Sequence, residues 1–505
     1  MKNECRCVVY SKKGKKMRKY DTVIGLEVHV ELATKTKIFC GCKSEFGGEV
    51  NTHVCPVCMG LPGSLPVLNK KVVEHAIALG VATNCSITNK TKFDRKNYFY
   101  PDNPQNYQIS QLYRPIVTDG YIDIDFNNKR IGIHEMHMEE DAGKIIHDDE
   151  KNISLIDYNR AGVPLIEIVT KPDMSSGEEV LEFLDKLKSI IKYIEISDCK
   201  LNEGSMRVDV NLSVKEEGSN TLGTRTEMKN LNSFKAIVRA IEHERDRQID
   251  LIEKGEMVIQ ETRRWDDNVG CSYSMRSKED VNDYRYFPEP DIKEIYISKE
   301  WINTIKQGLP ELRADKIKRY KEEYELPEYD IQVITEHKNI AYFYEKMLEL
   351  LKGKEKWTNK IPKKVSNWLM VDIFKAMNDR CIEPEKLKLD ASMIADLILL
   401  VEDKKVTKAN ALEVLEDIFD NKLDKCQSVE NYVEEKGLLI VEDMDMLNKV
   451  VDEVFANNPK SIEDYKNGKT KAMGFLVGQT MKAMKGKASP ESVNSLITKK
   501  LESLF

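Results

Sequence analysis

Two stretches far apart in the chain alternate strictly between apolar and polar residues, and that alternation limits the folds open to it. In VIGLEVHVEL, residues 23–32, Ile24, Leu26, Val28, Val30 and Leu32 take one side of an extended strand, and Glu27, His29 and Glu31 take the other. SMRVDVNLSV, residues 205–214, sets Met206, Val208, Val210, Leu212 and Val214 against Arg207, Asp209 and Asn211. Strands of this kind belong in a sheet with one face on a core and the other open to water. Glu31 reads as solvated.

At 505 residues the chain exceeds one ordinary core, and roughly 150 residues per domain suggests about three. A hydrophobic fraction of 41% with 32% charged residues fits a globular class. No apolar run approaches the ~20 residues that cross a bilayer, and the amino terminus, with SKKGKKMRKY, has no apolar signal core. A cytoplasmic location without membrane attachment is expected. The net charge of −7 excludes a uniformly basic coat, so any RNA contact must come from local patches.

The pattern divides the chain further. Residues 1–20 form a basic arm, and residues 21–308 are rich in alternation and in Gly and Pro turns. From LPELRADKIKRYKEEYELPEYD onward nearly every segment has helical periodicity. A softer break at DNKLDKCQSVENYVEEKG separates a helical domain, 309–425, from a tail, 426–505. The expected class is α+β: a large first domain of antiparallel sheet with helices, then two all-α domains. Within the first domain, SSGEEVLEFLDKLKSIIKYI reads as a core helix. Ser176 and Glu179 have capping-box spacing, and Val180, Leu184, Leu187, Ile191 and Ile194 share a stripe.

Four of the cysteines, Cys40, Cys42, Cys55 and Cys58, form two close pairs in a turn-prone segment. That spacing suits a closed tetrahedral Zn²⁺ knuckle at 40–58, structural because four thiolates leave no position for water. The Cys5 and Cys7 pair is isolated and carries no reading. Elsewhere in the first domain carboxylates recur beside His, Asn, Arg or Lys: IHEMHMEEDAGK carries His134, His137, Glu139, Glu140 and Asp141, and GTRTEMKNLNSF carries Arg225, Glu227 and Lys229. Each segment alone reads as a solvated face. Together they form a hard-cation donor set suited to Mg²⁺, the equipment of phosphoryl transfer. The familiar nucleotide motif is absent, since NGKT at 467–470 would need Gly where Glu463 stands.

VIGLEVHVEL, KFDRKNYFYPDNPQNYQISQ, HMEEDAGK, DYNRAGVPLIEIV, EGSMRVDVN, EMKNLNSF, QETRRWDD and DYRYFPEPDI together resemble the B-type subunit of the tRNA-dependent amidotransferases. The resemblance runs from about residue 21 to the carboxyl end, through GKTKAMGFLVGQTMKA, and the chain has no room for the large insertion of the related archaeal protein. It implies a cradle-shaped catalytic domain that phosphorylates the side-chain carboxylate of Glu-tRNA(Gln), Asp-tRNA(Asn) or both with ATP, and amidates it. Ammonia would come from an A-type glutaminase subunit, with a small C-type subunit completing a heterotrimer. By motif position the family's Mg²⁺ ligands fall on His29, Glu140 and Glu227, with Glu27 and Asp209 joining them. Arg95, Lys96 and Arg207 become phosphate contacts, and Tyr98 part of the pocket wall. The resemblance also makes the tail a tRNA-binding module. In GKTKAMGFLVGQTMKAMKGKASP, Met473, Leu476, Val477, Thr480, Met481 and Met484 form an inner stripe. Lys466, Lys469, Lys471, Lys482, Lys485 and Lys487 cluster at its two ends. Two other functions stay open on residues alone: a tRNA scaffold without chemistry of its own, and a metal-dependent phosphoesterase.

Overall fold

A computed structural model describes residues 19–148, 150–277, 284–354, 357–423, 427–440, 444–467, 469–484 and 487–504. The basic arm lies outside the described residues except for its last two, and Lys485 lies outside them as well. The chain divides into two compact units, with the boundary in the sequence between Leu312 and Arg313, and the class is α+β.

The first unit is built on a nine-stranded sheet. Its strands are β1 (Tyr20–Glu31), β2 (Ser86–Ile87), β3 (Val117–Ile124), β4 (Lys129–Glu140), β5 (Pro164–Thr170), β6 (Met206–Glu216), β7 (Thr226–Lys229), β8 (Glu261–Asp266) and β9 (Cys271–Ser277). The spatial order is β9-β8-β7-β6-β1-β5-β4-β3-β2. Every pair is antiparallel except β7 with β8, so the sheet is mixed rather than wholly antiparallel. The parallel pair has a simple origin. Helix α3 (Phe234–Lys254) carries the chain back between β7 and β8, the crossover that parallel strands require.

Burial follows the alternation. Ile24, Val28, Ile168, Val210 and Leu212 are fully buried and share one core with helices α1 (Lys70–Ala82), α2 (Gly177–Tyr193) and α3. In α2, Ser176 accepts the Glu179 amide and Glu179 accepts the Ser175 amide, so orphan donors of the first turn are satisfied. Helix α3 ends at Gly255 with φ 81°, a left-handed turn that glycine enters without a Cβ clash. All three helices cover the apolar side, so the opposite face stays free for polar residues.

The second unit is helical. Tyr320, Ile331, Tyr344, Leu369, Ile394, Leu415 and Val433 belong to one core, and Leu447, Val451, Leu476, Val493, Ile497 and Leu501 to a separate, smaller one. The helix Val429–Glu435, assigned to the tail by the sequence break near 425, instead buries Val429, Tyr432 and Val433 in the larger core. The broken periodicity there is a turn between helices of one core. In the helix Lys471–Ala483 the expected stripe faces inward through Leu476, Thr480 and the following Met484. No described helix is long and apolar enough to cross a membrane.

Leu187 is fully buried where α2 meets the sheet core. Leu187→Ala should cost about 2–5 kcal/mol, read as a lower denaturant midpoint in the unfolding of the full chain. A shift within measurement error would mean that this helix does not anchor the sheet.

Candidate functional site

The free face of the sheet is assembled by register. Across one row, β6 Arg207 opposes β1 His29, which opposes β5 Glu167, which opposes β4 His137. In the next row Glu27 opposes Asp209, and Asn211 opposes Glu227 one step beyond. Directly opposed residues point to the same side of a sheet. Five strands thus deliver their polar positions to one surface.

Two groups of ligating atoms form there, the atoms of each lying within 4.8 Å of one another: His29, Glu139 and Glu167, and Glu27, Asp209 and Glu227. His29 Nε2 lies 3.5 Å from Glu167 and 3.7 Å from Glu139, and His137 Nε2 lies 2.8 Å from Glu167. Burial disfavours charge on both imidazoles, but the carboxylates of Glu167 and Glu139 outweigh it. They hold His29 above its usual value and His137 at about 9. In the second group Asn211 donates to Glu27 at 2.9 Å and Thr262 donates to Glu227 at 2.6 Å. Lys229 Nζ reaches Asp209 at 2.5 Å and Glu227 at 2.8 Å. Burial and the nearby Glu167 raise the Glu27 pKa, whereas Lys229 overcomes burial and holds Glu227 low.

The structure therefore brings Glu27, Asp209 and Glu227 together and places His29 beside them on β1. It does not bring Glu140 to His29. Consecutive residues of β4 point to opposite faces, so Glu139 joins His29 and Glu140 faces the other side. Glu31 is also differently placed from its solvated reading. It is half-buried, and burial and the adjacent Asp141 push its carboxyl up to about 8, while Asp141 is paired to Arg207 at 2.9 Å. Arg207 stands on the free face as expected. The Arg95 guanidinium is committed elsewhere, to Glu289 at 2.6 Å and Asp291 at 3.0 Å over the Tyr107 ring. Lys96 lies over the Tyr284 ring, and Tyr98 meets that ring edge-on. Lys466, Lys469, Lys471 and Lys482 lie at the surface of the tail, with Lys469 paired to Asp464. Glu167, the hub of the first group, had one sequence signal: a single acid inside the apolar run PLIEIVT.

Beyond the other face lies the cysteine cluster. Cys40, Cys42, Cys55 and Cys58 place their sulfurs within 4.8 Å of one another, with Cys55 and Cys58 at 3.9 Å. Tetrahedral bonds of about 2.3 Å require sulfurs ~3.8 Å apart, so the thiols fit zinc. Hydrogen bonding from Cys40, helped by the Lys37 ammonium, draws the Cys58 thiol down to about 5 despite burial, favouring thiolate. Lys37 is fully buried, with Nζ at 2.7 Å from the His53 carbonyl, 3.3 Å from the Tyr158 carbonyl and 3.7 Å from Cys58 Sγ. Lys37, Cys40 and Cys58 border a cavity of about 170 Å³ that Glu140 also lines. Gly162 sits there at φ 82°, where a Cβ would lie 3.5 Å from both Cys58 and Lys37. Glu140 accepts the Ile109 amide at 3.0 Å, yet burial pushes its carboxyl up to about 8.

Two tests follow from this geometry. One zinc per chain should appear by elemental analysis and be lost in Cys55→Ser; metal-replete protein without zinc would refute the assignment. Between pH ~4.5 and ~8 the folded chain holds a proton on Glu140 that the unfolded chain releases, so this group's contribution falls as pH rises. Glu140→Gln should accordingly gain stability over its parent across that window and level off above it, in denaturant titrations at stepped pH. An opposite slope would show Glu140 ionised in the fold.

Comparison with known proteins follows the same division. Residues 22–303 match the GatB/GatE catalytic domain family, and residues 351–501 match the GatB domain family. The B-type subunit of the aspartyl/glutamyl-tRNA(Asn/Gln) amidotransferase of Agathobacter rectalis is 58% identical over 483 residues, 95% of this chain and 99% of that protein. The same protein of Lachnoclostridium phytofermentans is 57% identical, covering 95% and 98%. That of Caldicellulosiruptor bescii is 54% identical, covering 96% and 100%. The chain belongs to the GatB family, the B-type subunits of the aspartyl/glutamyl-tRNA(Asn/Gln) amidotransferases, which are glutamine-hydrolysing ligases.

Proposed function

We propose that the free face of the sheet activates the side-chain carboxylate of Glu-tRNA(Gln), Asp-tRNA(Asn) or both by phosphoryl transfer from ATP, and then admits ammonia to displace the phosphate. The observation that carries this reading is the gathering of five carboxylates and His29 into two adjoining hard-ligand groups on one face, with Arg207 and Lys229 among them. A surface built only to hold an RNA backbone would avoid such a concentration of acid. The donors fit Mg²⁺: His29, Glu139 and Glu167 would hold one ion, or Glu27, Asp209 and Glu227 would, with water and phosphate completing the shell. When bound, the metal neutralises phosphate charge and lowers the barrier to transfer.

The chain's own residues do the remaining work. A carboxylate is a poor electrophile, and an acyl phosphate offers ammonia a good leaving group. Arg207 supplies positive charge beside the first group, although Asp141 shares it. Ser110 and Asn211 donate to Glu139 and Glu27 and fix the directions of their carboxyls. Ammonia would come from the glutaminase subunit of a heterotrimer that a small third chain completes. The surface lysines of the tail would meet the tRNA body, where backbone charge and shape dominate recognition.

Tests use the assembled amidotransferase. With ammonia and glutamine omitted, the complex should cleave ATP only when charged tRNA is present, and His29→Ala or Glu227→Gln should cut that cleavage at least ~100-fold through misplaced phosphate, leaving glutaminase activity intact. Full amidated-tRNA yield from both variants would favour a scaffold role. Deleting residues 444–505, the segment with its own small core, should weaken tRNA binding and flatten its salt dependence. Unchanged affinity and slope would remove the tail from the tRNA interface.

A further inference from the structure

Lys229 is placed where a cation belongs. Glu27, Asp209 and Glu227 converge an oxygen each within 4.8 Å, and the Lys229 ammonium bridges two of the three, at 2.5 Å from Asp209 and 2.8 Å from Glu227. The third carboxyl, Glu27, is turned to Asn211 instead. Glu227 also accepts from Thr262 of β8 at 2.6 Å, so it and Glu27 each keep a partner without the lysine. The lysine, on a flexible four-carbon stem and about a third exposed, is the member with room to swing away. A Mg²⁺ ion drawing these oxygens to about 2.0–2.1 Å would compete with the ammonium for them.

We propose that Lys229 is a resident stand-in for the divalent cation, which it yields to the metal and nucleotide, its ammonium passing from Asp209 and Glu227 to the incoming phosphate. This rests on the metal-dependent reading of the site given above. Three acids packed without a cation would repel one another and load the empty fold; the ammonium relieves that repulsion. The acids in turn hold the lysine charged, against burial, above its usual range. When the metal takes over the acids, the ammonium loses its partners on the same face where phosphate arrives, and Lys is a point-charge phosphate binder. One residue then serves the empty and the loaded states with the same charge. It also couples metal and nucleotide binding, because each favours the displaced position of the lysine.

The test is a Mn²⁺ titration of the full chain, followed by electron paramagnetic resonance, without and then with ATP. Lys229→Gln removes the competitor and should tighten Mn²⁺ binding roughly tenfold, while weakening ATP binding to the metal-loaded chain. Lys229→Arg, which keeps the charge, should leave Mn²⁺ affinity near that of the parent. Asp209→Asn serves as the site control and should weaken Mn²⁺. If Asp209→Asn weakens Mn²⁺ but Lys229→Gln does not tighten it, Lys229 is an ordinary ion pair and the proposal fails while the metal site stands. If neither substitution changes Mn²⁺ binding, the ion does not sit on Glu27, Asp209 and Glu227, and the proposal fails while the metal reading falls back on His29, Glu139 and Glu167. A measurement on the unmodified chain covers the case in which Lys229→Gln does not fold. Acetylation of Lys229, followed by mass spectrometry, should speed up on adding Mg²⁺ and slow again on adding ATP, and a rate indifferent to Mg²⁺ overturns the exchange.

Discussion

Everything in the first unit depends on the pairing of β1 with strands on both sides. Its eleven-rung ladder with β6, from Tyr20 opposite Glu216 to Val30 opposite Met206, fixes which residues of the two strands face each other. Because side chains alternate, the same ladder that presses Ile24, Leu26, Val28 and Val30 into the core must lift Glu27 and His29 onto the other face. Apolar burial thus supplies the energy that holds the polar groups close. No local turn or loop has to be stiffened to place them.

That placement forces acids together, and the rest of the face answers the resulting repulsion. Glu167 is held ionised between two imidazoles, Asp141 between Arg207 and Arg160, and Glu227 by Lys229, whose ammonium also pairs with Asp209. At Glu31 a proton does the work, because burial and Asp141 outweigh Arg207 and Arg160 and raise the carboxyl toward neutrality. A buried charge without a partner would cost several kcal/mol, so these pairings are a condition of the fold as well as of any chemistry. The face is poised: its cations can be exchanged for others, and its carboxylates cannot leave.

Much of this was legible in the sequence because period-two alternation is a local property. β1 and β6 were readable from their own residues, and α2 from its stripe and its Ser176 cap. The cysteine cluster was readable from spacing. What a single segment cannot carry is which strand lies beside which. The pairing of His29 with Glu167 needs β5 to sit next to β1, and nothing in PLIEIVT names its neighbour. That Glu139 rather than Glu140 stands beside His29 turns on one residue of register, the smallest shift a strand allows. Arg95 looked free in the sequence because Glu289, nearly two hundred residues on, completes its pair only in the fold. The tail boundary slipped for the same reason, since the partners of Tyr432 lie upstream of the break.

The end of β4 sends Glu139 to the carboxylate-rich face and Glu140 to the cavity beside the cysteines, so two chemical environments hang on adjacent peptide units. Substitution at either position touches one environment. Gain or loss of one residue upstream within β4, or within the paired part of β5, would swap the occupants of both faces at once and bury acid where methionine belongs. Such strands are fixed in length more strictly than in composition. The two-stranded hairpin Lys144–Asp148 with Ile153–Asp157, which joins β4 to β5 and exposes Ile146 and Leu155, is under no such rule. Variation in chain length there would leave the sheet's reading frame intact, so an insertion between these two strands in a related sequence is expected to fall in the hairpin.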